Sequence, residues 1–301
     1  MDAQNRYRGA LLGLAAGDAV GTTLEFKPRG RFEPLTDMVG GGPFNLEAGQ
    51  WTDDTSMALC LAESLVRCED FDARDQMNRY ANWYQHGYWS STGSCFDIGV
   101  ATRRAIESYL VTGDPLSGSP HPKSAGNGSI MRLAPVVLRY AGMPELQDMA
   151  ALSSRTTHAA VECLDACRIL AVAIERALTG RSKSEILDLA SIDVATARLR
   201  DVACGGYLDA TRDQIHGTGY VVESLEAALW CFHRHDTFDG AVLEAANLGD
   251  DADTTAAIVG QLAGAFYGET GIPTSWLDRL HRGDEISALA DSLMQRNLAQ
   301  S

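Results

Sequence analysis

Apolar residues recur at three- and four-residue spacing through most of this 301-residue chain, and no stretch alternates with the period of two that a half-buried strand needs. The chain is therefore expected to be all-α. Helices are read at 6–14, 54–66, 74–84, 97–110, 129–140, 158–178, 220–232, 253–267 and 284–297. Pro135 falls inside the fifth, where it lacks the N–H a helix interior uses, and is expected to kink or break it. Gly9, Gly13 and Gly17 are spaced by four in the first helix, and Gly260 and Gly264 repeat that spacing in a late one. Glycine weakens a helix by about 1 kcal/mol relative to alanine, a cost tolerable where another backbone must come close. The two stripes predict that the first and late helices pack together and bring Asp18 near Asp251. Gly- and Pro-rich connections at 27–49, 89–94, 113–128 and 205–219 are long enough to be functional.

With 45% hydrophobic residues the chain can bury a sizeable core, and it has no Pro/Ser-rich linker, low-complexity tract or internal repeat. One domain over residues 1–301 is expected. The N-terminal residues lack a charged-then-apolar signal pattern, and no apolar run approaches a membrane span. A soluble, cytoplasmic protein with no membrane partner follows. Seven scattered cysteines without metal-like spacing read as free thiols in a reducing compartment. A formal net charge of −15 repels polyanions and argues against general nucleic-acid binding. It leaves room for a small diphosphate, which a few N–H groups and arginines hold locally.

Two acidic clusters nearly two hundred residues apart stand at the mouths of apolar helices. One is Trp51-Thr52-Asp53-Asp54-Thr55 and the other Asp250-Asp251-Ala252-Asp253-Thr254-Thr255. Carboxylates and hydroxyls favour a helix N-terminus, where they accept from free N–H groups and oppose the dipole. Each cluster holds more acids than a cap needs. Spacing alone leaves two readings: independent caps with solvated acids, or hard oxygen ligands meeting around divalent cations. Four carboxylates on one ion would repel, and two ions relieve that. Asp18 and Glu25 read as a turn residue and a loop acid, or as groups near such a centre. Gly126-Asn127-Gly128-Ser129 precedes a helix and reads as a plain turn or as a cradle for phosphate or ribose. His158 reads as a cap or core histidine, Tyr220 as a core aromatic or a ring against a base, and 83–89 as packing. No Ser-His-Asp or Cys-His nucleophile signature is present.

These residues resemble the ADP-ribosylglycohydrolase family. The resemblance runs over roughly residues 6–270: Gly17-Asp18-Ala19-Val20-Gly21 with Glu25, then Trp51 to Thr55, Phe96-Asp97-Ile98-Gly99, Gly126 to Arg132, Thr157-His158, Gly219-Tyr220 and Gly249 to Thr254. It implies a compact orthogonal bundle of a dozen or more helices and a centre of two Mg²⁺ or Mn²⁺ ions. The implied ligands are Thr52, Asp53, Asp54, Asp251, Asp253 and Thr254. Phe96, Asp97, Asn127, Gly128, Ser129, His158 and Tyr220 become residues of an ADP-ribose pocket, and Glu25 a glutamate on a mobile loop over the metals. One departure stands out: the family often has Gly-Gly-Asp-Thr-Asp-Thr at the second cluster, whereas here Asp250 and Ala252 fill the second and fourth slots. The implied activity is hydrolysis at C1″ of ADP-ribose attached to an acceptor, arginine before others, with Glu25, Asp53 and Asp251 catalytic. The partner would be an ADP-ribosylated protein or small molecule. Serine, nucleobase or small-molecule linkages, a nucleotide phosphohydrolase and a non-catalytic ADP-ribose binder are the rival readings.

Overall fold

The computed structural model describes residues 2–299. It contains fourteen α-helices: α1 (Ala3–Gly21), α2 (Asp53–Arg67), α3 (Ala73–His86), α4 (Val100–Thr112), α5 (Ala134–Tyr140), α6 (Leu146–Arg155), α7 (Val161–Leu178), α8 (Lys183–Ile186), α9 (Ala197–Ala203), α10 (Val221–Arg234), α11 (Phe238–Ala246), α12 (Ala252–Tyr267), α13 (Thr274–Leu277) and α14 (Gly283–Leu298). Among the described residues only three isolated β-bridges occur and no strand, so the all-α expectation holds. None of these helices is long and apolar enough to cross a membrane.

The centre of the bundle is the antiparallel pair α1 and α12. A step of four forward on α1 is matched by four backward on α12: Gly9 meets Gly264, Gly13 meets Gly260, Gly17 meets Ala256 and Gly21 meets Ala252. A methyl added at any of the four α1 glycines would sit 2.1–2.4 Å from a carbonyl oxygen of α12. The helices pack backbone to backbone, as the glycine stripes predicted. Helix α12 also packs on α7, α10 and α11, while α14 and α2 cover α1.

Four helices differ from the sequence reading by three residues or more. Helix α1, read at 6–14, spans Ala3–Gly21. Residues 129–133 form turns and α5 starts only at Ala134. Pro135 has no N–H to bond the carbonyl of Met131, and buried Gln261 of α12 takes over: its Nε2 donates to Ile130 O (3.0 Å) and Met131 O (2.9 Å). Its Oε1 accepts from Ala134 N at 2.6 Å. Helix α4 begins at Val100, since Asp97 lies in the left-handed region (φ 58°) and Gly99 is the N-cap. Helix α7 begins at Val161, because His158 donates its N–H back to Ser154 O and pairs with Ser119 across the 113–128 loop. Helices α6, α8, α9, α11 and α13 were not anticipated; each is ten residues or fewer. Trp83 is core, and Tyr88 and Trp89 bond Glu63 of α2, in keeping with packing roles.

Candidate active site and metal centre

Because α1 and α12 run antiparallel, the end of one and the start of the other lie side by side. Helix α1 runs through Asp18 to Gly21, and a 3₁₀ turn at Thr22–Leu24 carries the chain to Glu25. Asp251 is the N-cap residue of α12. Helix α2 is brought to the same point by Asp18. Its fully buried carboxylate accepts from Thr52 N and Oγ1 on one oxygen (both 2.9 Å). The other oxygen accepts from Thr55 N (3.0 Å) and Oγ1 (2.6 Å). Four donors on one carboxylate satisfy both oxygens, so α1 caps α2 from outside. Thr52 Oγ1 also lies 3.2 Å from Asp253 Oδ2 and 3.4 Å from Asp54 Oδ2. The two acidic clusters therefore meet.

Two sets of carboxylate oxygens close to within 4.8 Å of one another: Glu25, Asp97 and Asp253, and Asp53, Asp54 and Asp253. Asp253 belongs to both. Glu25 Oε2, Asp54 Oδ1 and Asp253 Oδ1 are buried and have no hydrogen-bond partner. Burial raises the pKa of Glu25, Asp53, Asp54 and Asp253, and the neighbouring acids add to the rise. Glu25 is pushed up to about 11, by burial first and then by Asp97, Asp53 and Asp251. Asp97 rises to about 7, chiefly through burial. Hard oxygen donors, crowded, buried and unpaired, are the donor set that Mg²⁺ or Mn²⁺ takes.

Asp251 takes part differently. Its Oδ2 accepts from Asn127 Nδ2 at 2.7 Å, and that same amide group donates to Ser224 Oγ at 2.9 Å. Asp250, in the left-handed region (φ 57°), is outside both acid sets. It pairs with the loop after Glu25, donating to Lys27 O (2.9 Å) and accepting from Phe26 N (2.7 Å). Arg29 adds bonds to the carbonyls of Leu248, Arg212 and Ile215. Glu25, only 3% exposed, thus sits on a segment tied to the α12 entrance.

Above the acids opens a cleft of about 1040 Å³. Glu25, Asp53, Asp97, Asp251, Asp253 and Thr254 line its acid end, and Asn127, Gly128 and His158 its opposite wall. Ser129 is not on the wall: it is buried, and its hydroxyl accepts from Cys167 in the core. Tyr220 lies in an adjoining hollow of about 1150 Å³ with Arg104, His121 and Lys123, which shares Val100, Ala101, Gly126 and Gly219 with the cleft. Phe96 stands behind Phe44, which does line the cleft.

His158 is held by a chain of donors. Buried Arg132 donates to Gly128 O and, at 2.7 Å, to Thr157 Oγ1. Thr157 Oγ1 lies 2.8 Å from His158 Nδ1. A guanidinium only donates, so the threonine oxygen accepts from it, and the threonine's own proton is placed towards His158 Nδ1. That network assigns the proton to Nε2, the nitrogen nearest Gly126 and Gly128. Burial, with Arg132 nearby, depresses the imidazole to about 3, so it stays neutral. The sequence offered Arg132 and Thr157 as neighbours of Gly126–Ser129 and His158, but only the fold joins them. Phe26 and Phe44 carried no signal in the sequence.

The sequence matches the ADP-ribosylglycohydrolase family over residues 1–301. It is 48% identical to an ADP-ribosylarginine hydrolase, Tri1, of Pseudomonas putida (strain GB-1), across 98% of this chain and 79% of that protein. It is 33% identical to the ADP-ribosyl-[dinitrogen reductase] glycohydrolase of Rhodospirillum rubrum, across 92% of this chain and 90% of the relative. A solved chain described as an ADP-ribosylglycohydrolase-related protein complex superposes with a TM-score of 0.88 at 45% identity, covering 98% of this chain and 99% of that one. With the whole length matched and the two acidic clusters joined at one cleft, the chain belongs to the ADP-ribosylglycohydrolase family, enzymes that hydrolyse the glycosidic bond of ADP-ribose.

Proposed function

We propose that the cleft hydrolyses the bond between C1″ of ADP-ribose and an arginine side chain of a protein, and that two divalent cations, Mg²⁺ or Mn²⁺, serve it. The observation that carries this reading is the set of three buried, unpartnered carboxylate oxygens, with Glu25 and Asp253 lining a cleft large enough for a nucleotide sugar and Asp54 grouped with Asp253 beneath it. Relatives named for arginine hydrolysis, 48% and 44% identical over nearly the whole chain, favour that acceptor over serine or a nucleobase. Glu25, Asp97 and Asp253 would hold one ion and Asp53, Asp54 and Asp253 the other, with Thr52, Asp251 and Thr254 beside them. When bound, the ions would keep these acids ionised, hold ribose hydroxyls and lower the pKa of water.

The protein's own groups divide the remaining work. Asn127, Gly128 and the Nε2–H of His158 form the wall that fixes the oxygen-rich part of the ligand. Asn127 orients Asp251, and either Asp251 or Asp53 accepts the proton of the attacking water. The C1″–N bond breaks through an oxocarbenium-like state while water oxygen bonds C1″. Guanidine leaves as a strong base and takes up the proton that the water gave to Asp251 or Asp53, while the Glu25 carboxylate accepts a hydrogen bond from the departing guanidinium and keeps that proton in place. Proton count balances: the one water loses is the one guanidine gains. Seven free cysteines suit a reducing, cytoplasmic setting.

Release of ADP-ribose from a panel of ADP-ribosylated acceptors, with Mg²⁺ and with excess chelator, tests the reading. Arginine should be the preferred acceptor and chelator should abolish release. Asp253→Ala, which removes the acid common to both sets, should do the same with the helical signal intact. Full turnover in chelator would end the metal reading, and preference for serine would end the arginine one.

A further inference from the structure

Two aromatic rings line the cleft beside its acids and a third packs against them, and the mechanism above uses none of the three. Phe26 follows Glu25 directly and Phe96 precedes Asp97 directly. Both acids belong to one of the two carboxylate sets. Phe44, from the 27–49 loop, sits between the two phenylalanines. Its ring centroid is 6.5 Å from that of Phe26 at an interplanar angle of 75°, and 5.1 Å from that of Phe96 at 60°. Phe26 and Phe44 line the cleft, yet Phe26 remains 66% exposed. The backbone that presents them is unusual. Among the described residues, Phe26 (φ 60°) and Asp97 (φ 58°) are two of six non-glycine residues in the left-handed region. Such conformations persist only where surrounding contacts enforce them, and they cluster at functional sites. Here Phe26 N bonds Asp250 O, and Lys27 N bonds Leu24 O.

We infer that Phe26 and Phe44, backed by Phe96, form the subsite that receives the guanidinium of the acceptor arginine, a deepening that rests on the arginine reading above. A guanidinium is planar, delocalised and weakly hydrated, and it stacks on aromatic faces where an ammonium or a hydroxyl gains less. The direction of the ligand points the same way. The polar wall of Asn127, Gly128 and His158 and the hollow beyond it with Arg104 and Lys123 suit the diphosphate and nucleoside. The reacting C1″ belongs over the acids, so the group on the other side of that bond meets the phenylalanines and lies beside Glu25, the carboxylate that accepts from its N–H. Arg103 also lines the cleft but is exposed on α4, on the same helix as Arg104 of the hollow. Carboxylates beneath and aromatic faces beside are the surroundings of a cation.

The test combines Phe26→Ala, Phe44→Ala, the double variant and the conservative Phe44→Leu, which keeps apolar bulk but removes the ring. ADP-ribosyl-agmatine turnover, inhibition by free agmatine and calorimetric ADP-ribose affinity are measured for each. Loss of a guanidinium–aromatic contact should lower kcat/KM by about tenfold in either alanine variant and weaken agmatine inhibition similarly. ADP-ribose affinity should stay within about twofold, which also shows that the variants fold. Phe44→Leu should resemble Phe44→Ala. Unchanged kcat/KM in the double variant would overturn the assignment, as would rescue by leucine. Equal loss of ADP-ribose affinity would overturn it too, placing adenine or sugar on the rings. Wild-type enzyme that leaves ADP-ribosyl-agmatine intact would instead overturn the arginine reading, and this subsite with it.

Discussion

Gly17→Ala should damage the active site from within the fold. Gly17 is the α1 residue next to Asp18, and the added methyl would lie 2.1 Å from Ala256 O, 2.6 Å from Ala256 C and 3.0 Å from Ala257 N. All three atoms are backbone, so no side chain can turn aside. Ordinary contact begins near 3.4 Å, so α1 and α12 must part by about 1.3 Å (3.4 less 2.1) at this level. Overpacking of this kind costs about 1–3 kcal/mol, and contact with rigid backbone puts it at the upper end. Alanine returns about 1 kcal/mol of helix propensity. The net loss is about 2 kcal/mol, or about 4 °C in Tm for a chain of this size. The effect on chemistry should be larger. Asp18 fixes the start of α2, and α12 carries Asp251 and Asp253, so separating α1 from α12 displaces the acids relative to one another. A misplacement of about 1 Å costs about a hundredfold in rate. Thermal unfolding beside steady-state ADP-ribose release would measure both. Wild-type Tm and turnover in Gly17→Ala would refute the backbone-contact account, and a lowered Tm with full turnover would refute the link from helix spacing to acid placement.

Asp250→Gly should keep turnover within about threefold, since glycine adopts the left-handed backbone at no cost and Asp250, though it lines the cleft, holds the Glu25 loop through its backbone, unlike Asp251, whose carboxylate Asn127 orients. Asp251→Asn should lose about a hundredfold or more; the reverse ranking in a turnover assay would shift the register of the second cluster by one residue. In chelator, thermal stability should fall as pH rises. Glu25 titrates at 4.5 unfolded and about 11 folded, so its contribution is full below about 4.5 and is lost towards 11, and Asp97 adds a window from 3.8 to about 7. Melting curves from pH 5 to 9 should show a flatter decline for Glu25→Gln, and an equal slope would remove Glu25 from the coupled acids. His158→Gln, whose amide N replaces Nε2–H, should hold ADP-ribose better than His158→Asn, and nitrogen NMR of wild-type imidazole should report the Nε2–H tautomer. A protonated Nδ1 would break the Arg132–Thr157–His158 assignment.

Much of the site was legible before any fold was known. Acids beyond the needs of a cap at Asp53-Asp54 and Asp251/Asp253 announced a charge to be neutralised, and the four-residue glycine spacing named the helices that bring them together. Those signals are local, because helical period and capping chemistry are set within a few residues. The extra turn at 129–133 was half legible: Pro135 forbade one bond, but that Gln261 would take the freed carbonyls depends on a residue more than a hundred positions away. The same distance hid the acid sets themselves. Asp97 joins Glu25 and Asp253 only because a left-handed residue ends its loop short of α4, and Phe44 meets Phe26 and Phe96 only across folded loops. Ser129 shows the converse, a residue of a ligand-like motif whose side chain the packing turns into the core towards Cys167. Sequence determined which residues could carry charge, turn sharply or pack closely, since those are properties of a residue and its near neighbours. Tertiary structure alone decided which of them share one low-dielectric space, because proximity between distant segments is fixed by the closing of the α1–α12 contact and by nothing local to either segment.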